Sequence, residues 1–127
     1  MFVHLKTKTI YSLLEGAIFA KALADQCRKF KMPAVGIADR ANLFGALEFS
    51  EVLSDNGIQP IIGCQLPMSF KEADLKKLRA TDRISMLFLA TNELGYRNLM
   101  ELSTKFFLND NYRFEGMSIG EIDNFSD

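Results

Sequence analysis

Four short apolar runs, residues 2–5, 34–38, 60–66 and 84–90, alternate with stretches of helical periodicity over connections of a few residues. That alternation constrains the chain more than any other feature. A strand followed by a helix and another strand calls for parallel strands joined by right-handed crossovers, so the fold class is α/β. The last run, ISMLFLA, is too uniformly apolar for a half-exposed surface and suits a strand buried on both faces.

The helices follow from spacing. Between residues 17 and 31, Phe19, Leu23, Cys27 and Phe30 fall on one face, and Pro33 ends the helix. Gly36 interrupts the second run and predicts a strand where another backbone comes close. A second helix over residues 42–56 turns Leu43, Ala46, Phe49 or Ser50, and Leu53 inward and closes on Gly57. Thr91 or Asn92 caps a helix running to about residue 107, with Leu99, Leu102 or Ser103, and Phe106 facing the core. Residues 67–83 are dense in charge and predict a solvated helix or loop. Ser12 and Glu15 have the spacing of a capping box, which makes Ser12 a helix cap rather than a nucleophile.

In such folds functional groups collect at the C-terminal ends of strands. Lys6 and Lys8 stand after the first run, Asp39 and Arg40 after the second, and Gln65 in the third. The chain has one histidine, His4, two residues before Lys6. His4 is either a surviving member of this site or, more commonly for a lone histidine, a hydrogen-bonded core residue.

A chain of 127 residues, 48% apolar, holds one core. Its net charge of −1 lacks the field a sequence-independent duplex DNA binder uses, so direct duplex binding is not expected. Residues 1–40 nevertheless carry seven Lys/Arg against three Asp/Glu. Cys27 and Cys64 form no CxxC pair and are expected reduced and buried. No run is long enough to span a membrane, and no signal peptide is present, so the expected compartment is cytoplasmic.

Three blocks, FVHLKTKTIYSLLEG (residues 2–16), MPAVGIADRANLFG (32–45) and GIQPIIGCQ (57–65), with ATNELGYRNLMEL (90–102) beyond them, carry a resemblance. In order and spacing they resemble the start of the PHP (polymerase and histidinol phosphatase) domain, in the form that opens the alpha subunit of bacterial DNA polymerase III. The resemblance implies a partial distorted (β/α)7 barrel, of which residues 1–127 supply about the first four strand–helix units. It implies a fragment of a longer chain, whose remainder is then the first partner and the proofreading exonuclease subunit a further one. The parent would be a DNA-directed DNA polymerase, a nucleotidyltransferase using Mg at a polymerase site elsewhere, while this segment has no cofactor and no catalysis.

Metal-binding members of that family carry imidazoles and carboxylates where this chain has Lys6, Lys8, Asp39, Arg40 and Gln65. Protonated lysine and arginine have no lone pair for a divalent ion and repel it. The expectation is therefore a degenerate metal site whose cations replace the lost positive charge and pair with Asp39 and other acidic groups. Two alternatives remain open: a metal-free phosphate-binding or regulatory protein using Lys6, Lys8 and Arg40, and a free-standing PHP phosphatase.

Overall fold

The computed structural model describes residues 2–69 and 84–125. Strands β1 (Ala34–Arg40), β2 (Gln59–Ser69), β3 (Ser85–Leu89) and β4 (Met117–Ser118) form the sheet. Helices α1 (Ala20–Lys29), α2 (Ala46–Asp55), α3 (Glu93–Leu108), α4 (Asp110–Glu115) and α5 (Ile119–Asp123) surround it. The α/β expectation holds. Residues 67–69 extend β2, and the rest of the charged stretch lies outside the described residues.

β1 pairs with β2 in parallel, Ala34 opposite Gln59 through Arg40 opposite Gln65. β3, by contrast, runs antiparallel to β2, with Gly63 opposite Leu89 and Pro67 opposite Ser85. The expectation of parallel strands throughout is corrected here: a uniformly apolar run carries no signal of direction. The first run, 2–5, is also not a ladder strand. It is an extended segment held on β1 by three bonds: Gly36 N–H to the His4 carbonyl (2.6 Å), Thr7 N–H to the Gly36 carbonyl (3.0 Å) and Ala38 N–H to the Thr7 carbonyl (2.9 Å). Gly36 permits that approach, since a Cβ there would lie 2.5 Å from the Leu5 carbonyl oxygen.

α1 buries Ala20, Leu23, Ala24 and Cys27 in one cluster with Val35 and Ile37 of β1 and Phe49 and Leu53 of α2, the helix that it approaches most closely. Phe19 and Phe30, expected inward, are 62% and 63% exposed. Both occupy cap positions, where the backbone departs from helical geometry and the side chain leaves the inner stripe. α2 places Ala46, Phe49 and Leu53 inward as expected and closes on Gly57 at φ +71°. Full burial of Phe49 and Leu53 is worth about 1.5–3 kcal/mol each.

α3 is capped by Asn92, whose Oδ1 accepts from Gly95 N–H at 2.8 Å. Its inner residues Leu99, Leu102 and Phe106 form a second cluster with Cys64, Leu66, Met68 and Met117. The chain turns polar from residue 119 onward. That stretch contains α5, with Ile122 and Phe125 packed on that second cluster.

The helices cover the face of the sheet that carries Val35, Ile37, Ile62, Cys64 and Leu66. Alternation along the strands puts Gly36, Ala38, Arg40, Gly63 and Gln65 on the other face. The Thr7–Ile37 bridge adds Lys6 and Lys8 to that same face.

Candidate functional site

The C-terminal end of β1 holds two carboxylate centres, built from the turn that follows the first segment. Asp39 is 4% exposed. Its Oδ1 accepts from Thr9 N–H (2.7 Å) and the Ser12 hydroxyl (2.6 Å), and its Oδ2 accepts from the Thr9 hydroxyl (2.6 Å). Ser12 Oγ in turn accepts from Arg40 N–H at 3.0 Å, and Thr9 Oγ1 from Tyr11 N–H at 3.2 Å. The network stitches the turn to β1.

These bonds correct two expectations. Ser12 does not cap a helix: residues 12–16 form turns in which the Glu15 and Gly16 amides bond the Ser12 carbonyl, and the hydroxyl goes to a carboxylate distant in sequence. Asp39 does not pair with the cations; hydroxyls and an amide take its oxygens. The partner of the cations is Glu15. Lys8 Nζ bonds Glu15 Oε2, and Arg40 Nη1 bonds Glu15 Oε1 at 2.8 Å. Lys8, and secondarily Arg40, hold the Glu15 carboxyl below its ordinary pKa.

Glu15 entered the sequence reading only as half of a capping box, yet a signal was available. It is one of three acidic residues among the first forty. Asp25 pairs with Arg28 on α1 and Asp39 lies buried, which leaves Glu15 for the cations at the strand ends.

Arg40 and Gln65 sit opposite each other across the parallel ladder. Gln65 Oε1 is buried and finds no donor among the described residues. Lys6 has no carboxylate partner among them and lines an open groove of about 790 Å³ together with His4, Lys8, Glu15, Phe19 and Phe30. His4 is exposed and meets the Phe2 ring edge-on at 4.6 Å between centroids, so it is not a core histidine.

Asn42 holds the far side of the turn, its Nδ2 donating to the carbonyls of Tyr11 (3.1 Å) and Arg40 (3.0 Å). Tyr11 donates its hydroxyl to Glu48 Oε2 at 2.7 Å, which raises the phenol pKa. Behind the site, burial and then the Asp39 charge push the Cys64 thiol up to about 12, and burial raises Cys27; both thiols are free and buried.

As donors for a divalent ion these residues fit poorly. Lys6, Lys8 and Arg40 offer no lone pair when protonated. Both oxygens of Asp39 already accept hydrogen bonds, and those of Glu15 are engaged by two cations. Among the described residues, no three His, Cys, Asp or Glu side chains are grouped as metal ligands. Nor is any helix among them long and apolar enough to cross a membrane.

Known proteins bear on this arrangement. DNA polymerase III subunit alpha of Caulobacter vibrioides is 49% identical over 107 residues, spanning 84% of this chain and 9% of that one. The same subunit of Treponema pallidum is 38% identical over 113 residues, spanning 87% and 10%. The chain thus spans about a tenth of the length of these curated relatives. Among solved structures, a chain from Bifidobacterium adolescentis described as a metal-dependent phosphoesterase matches with a TM-score of 0.56 at 20% identity, over 78% of this chain and 32% of that one, a likeness of fold. The PHP domain family matches residues 4–124, and the chain belongs to that family.

Proposed function

We propose that this chain is the opening part of the PHP domain of a replicative DNA polymerase III alpha subunit and works there as a catalytically degenerate phosphoesterase scaffold. The observation that carries the reading is the Glu15 carboxylate bridging Lys8 and Arg40. Two fixed side-chain cations supply the positive charge that bound metal ions supply in a metal-dependent site, so the end of the sheet is held together without an ion. Water activation and phosphoryl charge neutralisation by a divalent ion are then lost, and template-directed DNA synthesis belongs to the rest of the parent. The scaffold's task is to complete the domain and to present a surface on which the proofreading exonuclease subunit docks. The identities to polymerase alpha subunits support the parentage, and the poor donor set supports the degeneracy.

The test is made in the full-length polymerase. Lys8→Ala with Arg40→Ala is expected to lower the unfolding midpoint of the PHP domain and the retention of the exonuclease subunit, while the folded enzyme keeps its rate of DNA synthesis. Stoichiometric zinc or manganese in the purified unsubstituted protein, together with metal-dependent phosphodiester hydrolysis lost in that double variant, would sink the reading.

A further inference from the structure

Among the described residues, four of the five most exposed large apolar side chains stand at one end of β1: Leu13 (84%), Leu14 (98%), Phe44 (71%) and Leu47 (71%). Leu13 and Leu14 belong to the turn after the first segment, and Phe44 and Leu47 to the entry into α2. Tyr11 joins the two places. Its ring lies against Gly45, where a Cβ would come 2.9 Å from Cδ2, its hydroxyl bonds Glu48, and its carbonyl accepts from Asn42. Phe44 and Leu47 are the sequence neighbours of Gly45 and Glu48.

This exposure does not come from a loose turn. The Thr9–Ile18 bridge closes it, and the Glu15 and Gly16 amides both bond the Ser12 carbonyl at 2.9 Å. Gly16 packs so near Thr9 that a Cβ would lie 2.2 Å from the carbonyl oxygen. Within that frame Leu14 sits at φ +64°, in the left-handed region where an L side chain crowds the following carbonyl. Glycine or asparagine would relieve the crowding, and neither would leave a leucine in water. A side chain both strained and exposed gains nothing within its own chain, and a contact outside the chain accounts for it. A turn already fixed also spares that contact the entropy of ordering it.

The place of the patch narrows what covers it. Strand–helix units that complete a barrel add beside the sheet, next to the first segment and β3, whereas these four side chains stand at a strand end. The chain spans 32% of the Bifidobacterium phosphoesterase and only 9% of the Caulobacter polymerase subunit, so most of such a subunit lies outside a PHP fold. We infer that the patch is the seat of the parent's own chain beyond its PHP domain: an apolar surface of that remainder packs on Leu13, Leu14, Phe44 and Leu47, with the exposed Arg40 and Glu48 at the charged rim. The inference rests on the proposed parentage and goes beyond it by naming the face and its occupant.

Carbene footprinting of the full-length polymerase, alone and with the exonuclease subunit added, tests this, with the same chain unfolded in denaturant as the reference for full exposure. In the polymerase alone, labelling of the four residues is expected about fivefold below the reference. Leu14→Lys, which puts an ammonium group into an apolar contact, should return Leu13, Phe44 and Leu47 to within about twofold of it. Should Leu14→Lys fail to fold, Leu14→Gly, which suits φ +64°, is judged by the same criteria. Labelling near the reference in the polymerase alone overturns the inference; if it then falls when the exonuclease subunit is added, that subunit is the occupant instead. Low labelling unchanged by the substitution overturns it too, since Leu14 would then lie outside the contact. None of these outcomes touches the metal content and hydrolysis that decide the scaffold reading, so the two fail separately.

Discussion

Asp39 and Glu15 lie at the same end of β1 and are held by opposite means. Asp39 is buried and surrounded by neutral donors, two hydroxyls and an amide at 2.6–2.7 Å. Glu15 stands partly in water between two full charges. A buried carboxylate needs donors of fixed geometry, because removing one leaves a desolvated group uncompensated. A carboxylate at the rim can rely on Coulomb attraction, which water and salt weaken. Stability should therefore reside in the Asp39 network, and sensitivity to salt in the Glu15 contact.

The largest effect that could break this contrast is Asp39→Ala. It strands the Thr9 amide and the Thr9 and Ser12 hydroxyls, and a loss of about 3 kcal/mol is expected in denaturant unfolding. A loss no larger than that of a rim residue would remove the distinction between the two centres. Gly36→Ala comes next. Its Cβ would press on the Leu5 carbonyl, and overpacking of that kind costs about 1–3 kcal/mol. Because the first segment would be lifted from β1, Thr9 and Lys8 would both shift, and hydrogen exchange should rise at Thr7 and Ala38 together.

Glu15→Gln is the smallest, under about 1 kcal/mol given its exposure, but it is the most diagnostic. The Glu15 carboxyl titrates lower in the folded chain than in the unfolded one. Its contribution is thus present above the unfolded pKa and is lost as pH falls through the folded value. Substitution should lower the midpoint at neutral pH, have no effect in acid, and have less effect in high salt. A pH-independent loss would show that Glu15 acts through packing instead.

Much of the architecture was legible because it is written locally. Inner helix faces, the Gly57 and Asn92 caps and the close approach at Gly36 each follow from residues within a few positions of one another. What escaped required knowledge of distant partners. Ser12 and Glu15 fit a local capping motif, and only the fold reveals that Asp39, 27 residues on, claims the Ser12 hydroxyl, and that Arg40 claims Glu15. The direction of β3 was hidden because a uniformly apolar strand reads the same either way. Phe19 and Phe30 matched the helical period but fell on the caps, where the period no longer applies. At the site, Lys6, Lys8, Arg40 and Gln65 do share one face as strand alternation implies, while the chemistry that ties two of them together lay in an unremarked turn.

Lys6 and Lys8 also guard against misalignment. The first segment touches β1 through three backbone bonds, too few to dictate a register by themselves. Sliding the segment by one residue would turn both ammonium groups from the open face into the apolar layer beneath α1 and α2, where a desolvated charge is untenable. The two lysines therefore act as keys that admit a single alignment. A chain with Val or Leu at those positions would be expected to stick more readily and to fit less uniquely.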